Sequence, residues 1–129
     1  MHGVEALFTE MGTGCQQVTR VQTDSTELVV GVWKDGRIGT FRGRRSKPHN
    51  YGVTAYGEKG VLEAGDYDGY APLVVEVCKF FKTGVAPVSA EETIEIFAFM
   101  EAADASRRQG GCPVTITDVM AKATAKTAQ

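Results

Sequence analysis

Cysteine and histidine are scarce in this chain, and each shortage removes a class of function. Cys15, Cys78 and Cys112 are the only cysteines among 129 residues. They are odd in number, far apart and never arranged Cys-x-x-Cys, so neither a disulfide framework nor a zinc-binding thiolate set is expected. Buried thiols in a reducing compartment are the reading they support. His2 and His49 are the only histidines, and no carboxylate or second histidine stands at a spacing that would make a metal-binding helix. No Gly-x-x-x-x-Gly-Lys-Ser/Thr loop is present, which excludes phosphoryl transfer by that route, and no Gly-x-Ser-x-Gly elbow supports a Ser-His-Asp hydrolase. Gly12-Thr13-Gly14-Cys15 is only superficially like a dinucleotide loop, because it follows a predicted helix, precedes a strand and lacks the third glycine. No apolar run approaches the ~20 residues of a membrane helix, and no basic segment followed by an apolar one opens the chain. The net charge of −2 and a pI near 5.7 argue against a dedicated nucleic-acid or membrane binder. A soluble, cytoplasmic protein is expected.

What is there is enough apolar material for one core. At 43% hydrophobic, residues 1–129 are expected to form a single domain. The clearest local signal is Glu27 to Gly43, in which two β-rich runs flank Asp35-Gly36, a pair suited to a two-residue type I′ turn. Pairing Lys34 with Arg37 sets Trp33 opposite Ile38 and Val29 opposite Arg42 on one face. Val32 then faces Gly39, and Val30 faces Phe41, on the other. Both faces are largely apolar. Helices are therefore expected to cover one side of the sheet and something else the other.

The remaining elements follow in order. Val4, Leu7, Phe8 and Met11 sit at helical spacing, with Gly12 or Gly14 as the stop. A helix starting at the second residue has no cap, so the chain is expected to arrive from further upstream. Strands are expected over 17–23, 51–56 and 61–64, the last two joined by Gly57-Glu58-Lys59-Gly60. With the hairpin they make about five strands in a row, an antiparallel meander. Leu73, Val74, Val77, Phe80 and Phe81 stripe a helix from Tyr70 to Lys82 that ends at Thr83-Gly84. Ser89 and Glu92 form a capping box for a helix running to about Gln109 and stopped by Gly110-Gly111. Its Ala98, Ala102, Ala103 and Ala105 permit close approach to another element. Val114 and Ile116 suit a brief edge strand, and a helical turn or two from Asp118 should fray into the tail. The fold class expected is α+β, a largely antiparallel open sheet of five or six strands with helices packed on one face.

One stretch is strongly basic. From Lys34 to His49 six Lys or Arg residues meet one Asp. Arg42, Arg44, Arg45, Lys47 and His49, with Phe41 and Tyr51 nearby for stacking, suit an anionic or nucleic-acid contact. A solvated loop whose charges protect a sheet edge is the simpler reading.

His2-Gly3-Val4-Glu5-Ala6-Leu7 and the order of elements resemble the C-terminal domain of the Gfo/Idh/MocA oxidoreductases, the relatives of glucose-fructose oxidoreductase and inositol dehydrogenase. The family motif there is Asp-x-x-x-His-x-Ile-Asp-x-Leu. His2, Val4, Glu5 and Leu7 match its later half, with Glu5 where Asp is usual. Gly57-Glu58-Lys59-Gly60 is similar to the family's Gly-x-x-Gly turn. Pro87 through Gly111 with Val114 is similar to its terminal helix, including Glu101-Ala102-Ala103 and Ser106.

The resemblance implies the substrate-binding and dimerisation half of an NAD(P)-dependent oxidoreductase acting on a sugar, polyol or related hydroxyl or carbonyl compound. In the parent enzyme His2 would be catalytic, moving a proton or holding the substrate hydroxyl. The cofactor, NAD or NADP, would belong to a Rossmann half whose Gly-rich loop and Glu-Lys-Pro segment are absent here, so this chain alone should be inactive. Tyr51, Tyr67 and Tyr70 are candidates for reading sugar hydroxyls. A homodimer or higher homo-oligomer is expected through the open sheet face at Val29, Trp33, Ile38 and Thr40. No metal, nucleic-acid or membrane partner is implied. A free-standing oligomeric interaction module without catalysis is the alternative.

Overall fold

The computed structural model describes residues 2–47, 51–65 and 69–127. Its elements are α1 (His2–Met11), β1 (Cys15–Gln22), β2 (Thr26–Trp33), β3 (Ile38–Arg44), β4 (Val53–Gly57), β5 (Gly60–Ala64), α2 (Ala71–Thr83), α3 (Ala90–Arg108), β6 (Val114–Thr115) and α4 (Ile116–Thr127). The fold is α+β. Two compact units are present, Met1–His49 with Glu91–Gln129, and Asn50–Ala90. The six strands do not form one meander. Four make an antiparallel sheet ordered β3-β2-β1-β6 in the first unit, and β4 and β5 form a separate hairpin in the second.

The core of the first unit lies on one face of the sheet. Along β2, Val29, Gly31 and Trp33 point inward, opposite Val18 and Arg20 of β1 and Gly39 and Phe41 of β3. Phe8 of α1 and Phe99 of α3 close on Trp33, with ring centroids 5.6–6.3 Å apart. Gly31 makes the approach of α3 feasible, because a Cβ there would stand 2.7 Å from the Phe99 ring and from the Trp33 ring. The alanines of α3 behave as their size suggests. Ala98, Ala102, Ala103 and Ala105 are buried, and Ser106 among them is fully covered.

The termini of these helices are satisfied by specific partners. At the end of α3, Gly111 N–H donates to Ser106 O over 2.8 Å and Gly110 N–H to Arg107 O over 3.2 Å. This paired pattern needs a left-handed residue at position 110, where glycine sits at φ +70°. The start of α4 is capped by Thr115 Oγ1, which accepts from Asp118 N–H at 3.1 Å. That cap, together with Val119 in the core, carries α4 through Thr127, well past the turn or two expected from the sequence.

The β2–β3 hairpin differs from expectation by one residue. Trp33 N–H donates to Arg37 O, and Gly36 N–H to Trp33 O, each at 2.9 Å, so Val32 pairs with Ile38. The loop is therefore Lys34-Asp35-Gly36. A type I′ turn would demand positive φ from Asp35 as well. A three-residue loop asks it only of Gly36, at φ +86°. Asp35 is then free to accept from the Arg37 backbone N–H at 3.1 Å and from Arg37 Nε at 2.8 Å. Those contacts, the backbone one foremost, hold its carboxyl below the usual carboxylate range.

Because side chains alternate, a slip of one residue exchanges the faces of β3 relative to β2. Phe41 lies inward opposite Val29, not opposite Val30. The interface expectation is corrected accordingly: Val29 and Trp33 are 3% and 1% exposed, buried in the helix-covered core, and cannot meet a partner. Ile38 and Thr40 do lie on the open face.

In the second unit, the β4–β5 hairpin turns at Glu58-Lys59 between the paired Gly57 and Gly60. The helix α2 ends where expected, Gly84 N–H donating to Phe80 O over 2.8 Å. No residue of α2 is buried.

Candidate functional site

The sheet face turned away from the core is built by alternation. It carries Gln17, Thr19 and Val21 from β1, Thr26, Leu28, Val30 and Val32 from β2, and Ile38, Thr40, Arg42 and Arg44 from β3. Cross-strand pairs bring Val21 beside Leu28, Thr19 beside Val30, Val30 beside Thr40, and Val32 beside Ile38. The result is an apolar stripe in which Val21 is 63% exposed and Ile38 65%. Such a contiguous patch on a rigid sheet is a surface for association rather than for chemistry. At the far end of the edge strand, Arg42 lies opposite Leu28 and Arg44 opposite Thr26. No Asp or Glu stands on this face among the described residues.

The charged side chains of the covered face are committed to structure. The Arg20 guanidinium donates to Asp104 of α3 at 2.6 Å, to Gln22 at 3.0 Å and to Glu27. Glu27 also lies 3.6 Å from Arg45. Arg20 N–H, which has no strand neighbour beyond the short β6, donates instead to the buried Ser106 hydroxyl at 2.9 Å. Glu95 of α3 accepts from both Gly14 and Cys15 N–H at 2.7 Å, fixing the bend into β1. Burial pushes the Cys15 thiol up to about 11, with Glu95 adding to the rise. This cysteine is an inert core residue, as the sequence suggested. Cys78 and Cys112 are exposed.

The remaining sequence candidates are scattered. His2 lies on the exposed side of α1, its Nδ1 2.9 Å from Glu5 Oε2 one turn on, and no second catalytic group adjoins it among the described residues. Tyr51 and Tyr70 are exposed in the second unit; Tyr67 and His49 lie outside the described residues. Arg45 is drawn to the carbonyls of Thr23 and Asp24, and Arg37 to Met11 O at 2.9 Å. The basic stretch is thus divided: Arg37 and Arg45 brace turns, while Arg42 has no side-chain partner among the described residues.

Two other apolar surfaces exist. In the first unit a groove of about 780 Å³ runs between α3 and α4, lined by Ile94, Phe97, Ala98, Val119 and Met120. In the second, Leu73, Val74 and Phe81 of α2 are exposed. No described helix is long and apolar enough to cross a membrane, and no group of metal-binding side chains occurs among the described residues.

Sequence reasoning missed Val21, Leu28, Val30 and Val32 as a single surface, and missed the Arg20 and Glu95 contacts altogether. The alternation of 28, 30 and 32 was readable. Its alignment with β3 depended on a turn that the sequence leaves ambiguous. Comparison with family models, with curated proteins and with solved structures finds no match for this chain.

Proposed function

We propose that this chain is the substrate-side and subunit-pairing half of an NAD(P)-dependent oxidoreductase of the Gfo/Idh/MocA type, and that two copies associate through the open face of the four-stranded sheet. The observation that carries the pairing is that face: one side of the sheet is sealed by α1 and α3, while the other presents Val21, Leu28, Val30, Val32 and Ile38 side by side. An apolar sheet surface is stabilised by a second apolar layer, and a self-complementary patch about a two-fold axis is the commonest way to supply one. From strand spacing and rise the face measures roughly 20 by 25 Å. Two of them bury on the order of 1,000 Å² in total, about the threshold of a specific interface. A micromolar dimer is the expected strength.

The enzymatic part rests on the resemblance of His2 to Leu7, the Gly57–Gly60 turn and the α3 sequence to that family. It assigns His2 to proton transfer or hydroxyl binding in the parent enzyme, on a sugar-like or polyol substrate, with the dinucleotide held by another domain. The isolation of His2 favours a second reading, an oligomeric interaction module without catalysis.

Sedimentation equilibrium from about 1 to 200 μM tests the pairing. A reversible dimer is expected, and a monomer at every concentration overturns it. Titration with NAD(H) and NADP(H) should show no binding tighter than millimolar. Micromolar binding to the isolated chain overturns the half-enzyme assignment. A Gly-x-Gly-x-x-Gly strand-turn-helix encoded in frame directly upstream favours the enzyme, and its absence the module.

A further inference from the structure

We propose that the pairing face is a tetrahedral-oxyanion site: phosphate, or a phosphate monoester, bound by Arg42 and Arg44 is what allows two copies to close. The inference rests on the pairing read above and deepens it.

The argument is one of charge left over. Arg42 and Arg44 are two residues apart on β3, so both guanidinium groups leave the same face, about 7 Å apart along the strand. They flank the apolar stripe at Leu28 and Thr26. Of the carboxylates nearest in the hairpin, Glu27 points to the covered face, where it holds Arg20 and Arg45, and Asp35 is held by Arg37 at the other end of the ribbon. Wherever the two-fold axis passes, pairing the open faces brings four guanidinium groups to one boundary, and no carboxylate of that face meets them. Ser46, 3.4 Å from Arg44 Nη2, is the one side-chain partner either arginine has among the described residues, and it carries no charge.

Partial desolvation of unpaired cations opposes closure, and mutual repulsion adds to it. A small dianion removes both costs. Guanidinium presents a planar fork of donors that matches two oxygens of a tetrahedral oxyanion, and β3 is an edge strand, so an ion reaches the site from solvent without opening the apolar centre. The face therefore encodes a conditional dimer, weak in chloride and strong in phosphate.

The experiment is sedimentation equilibrium of the whole chain in potassium phosphate, in glycerol 3-phosphate and in potassium chloride, all at matched ionic strength. The dimer dissociation constant is expected to fall roughly tenfold or more in phosphate relative to chloride. An equal effect of glycerol 3-phosphate identifies a monoester as an admissible ligand, and an effect of inorganic phosphate alone restricts the site to the free ion. The R42Q/R44Q double variant should dimerise in chloride about as tightly as the parent in phosphate and lose the phosphate response. The R42K/R44K variant keeps the repulsion but loses the forked geometry, so its phosphate response should be smaller. A dimer equally strong in chloride and phosphate overturns this proposal and leaves the pairing intact, as does a phosphate response that survives R42Q/R44Q. A monomer under every condition overturns the pairing itself and this proposal with it.

Discussion

The indole N–H of Trp33 donates to the carbonyl oxygen of Gly12 over 2.9 Å. Gly12 is the residue that stops α1, its own N–H reaching back to Phe8 O at 2.7 Å, so one side chain from the end of β2 fixes the helix terminus to the sheet. Arg37, just across the hairpin turn, does the same for Met11 O at 2.9 Å. The hairpin end thus satisfies two helix-terminal carbonyls, and the seating of α1 depends on the turn at Lys34-Asp35-Gly36.

Replacing Trp33 by Phe keeps most of the apolar contact with Phe8 and Phe99 but orphans the Gly12 carbonyl, at a cost of about 1–3 kcal/mol. Replacing it by Ala adds a core cavity and should cost about 3–5 kcal/mol. Urea denaturation followed by circular dichroism measures both, and equal costs for the two variants would show that the hydrogen bond contributes nothing.

The two faces of the sheet should answer differently to the same change. Ile38→Asp places a charge on the open face, where the monomer's stability should move by no more than about 0.5 kcal/mol while association weakens. Val29→Asp puts the same charge at a position only 3% exposed and should prevent folding or cost at least 4 kcal/mol, a flagged value of about that size for a buried unpaired charge. Thermal melts and sedimentation of both variants check this, and a tolerated Val29→Asp would refute the assignment of faces.

Ser106 has 0% exposure and supplies the acceptor for Arg20 N–H where the sheet runs out of strand. Ser106→Ala leaves that donor buried and unpaired, and a loss of about 1–3 kcal/mol is expected. Native-state hydrogen exchange at Arg20 should accelerate by the same free energy. Unchanged exchange there would mean the serine is a spacer only.

The Cys15 thiol, raised to about 11 by burial and then by Glu95, sets an alkaline signature. Between the ordinary thiol value of 9.0 and about 11 the unfolded chain ionises Cys15 and the folded chain does not. The folded state then binds more protons, so stability falls as pH rises through that window. Cys15→Ala should flatten the slope. At pH 8 iodoacetamide should label Cys78 and Cys112 well before Cys15, and mass spectrometry of the labelled peptides reads the order directly.

Most of the elements were legible because their signals are local. The Gly12 and Gly84 stops, the α3 terminus at Gly110-Gly111 and the alanine face of α3 depend on φ preferences and side-chain size within a few residues. The hairpin was legible as a hairpin, yet Asp35-Gly36 serves a two-residue and a three-residue loop equally well, and one residue of difference moved Phe41 inward and Ile38 outward. The strand count was read correctly and its division was not, since nothing in 53–64 states which edge it pairs with.

By itself the sequence determined the fold class, the helix boundaries and the presence of an apolar surplus on a β ribbon, because each follows from alternation, periodicity and glycine within one element. Only the tertiary structure decided which side of the ribbon is covered, that Glu95 and Ser106 complete the backbone of β1 from about 80 residues away, and that Arg42 and Arg44 share a face without a carboxylate. Those outcomes are set by hydrogen bonds between remote segments and by strand register. Such long-range pairings leave no periodic trace in the order of residues.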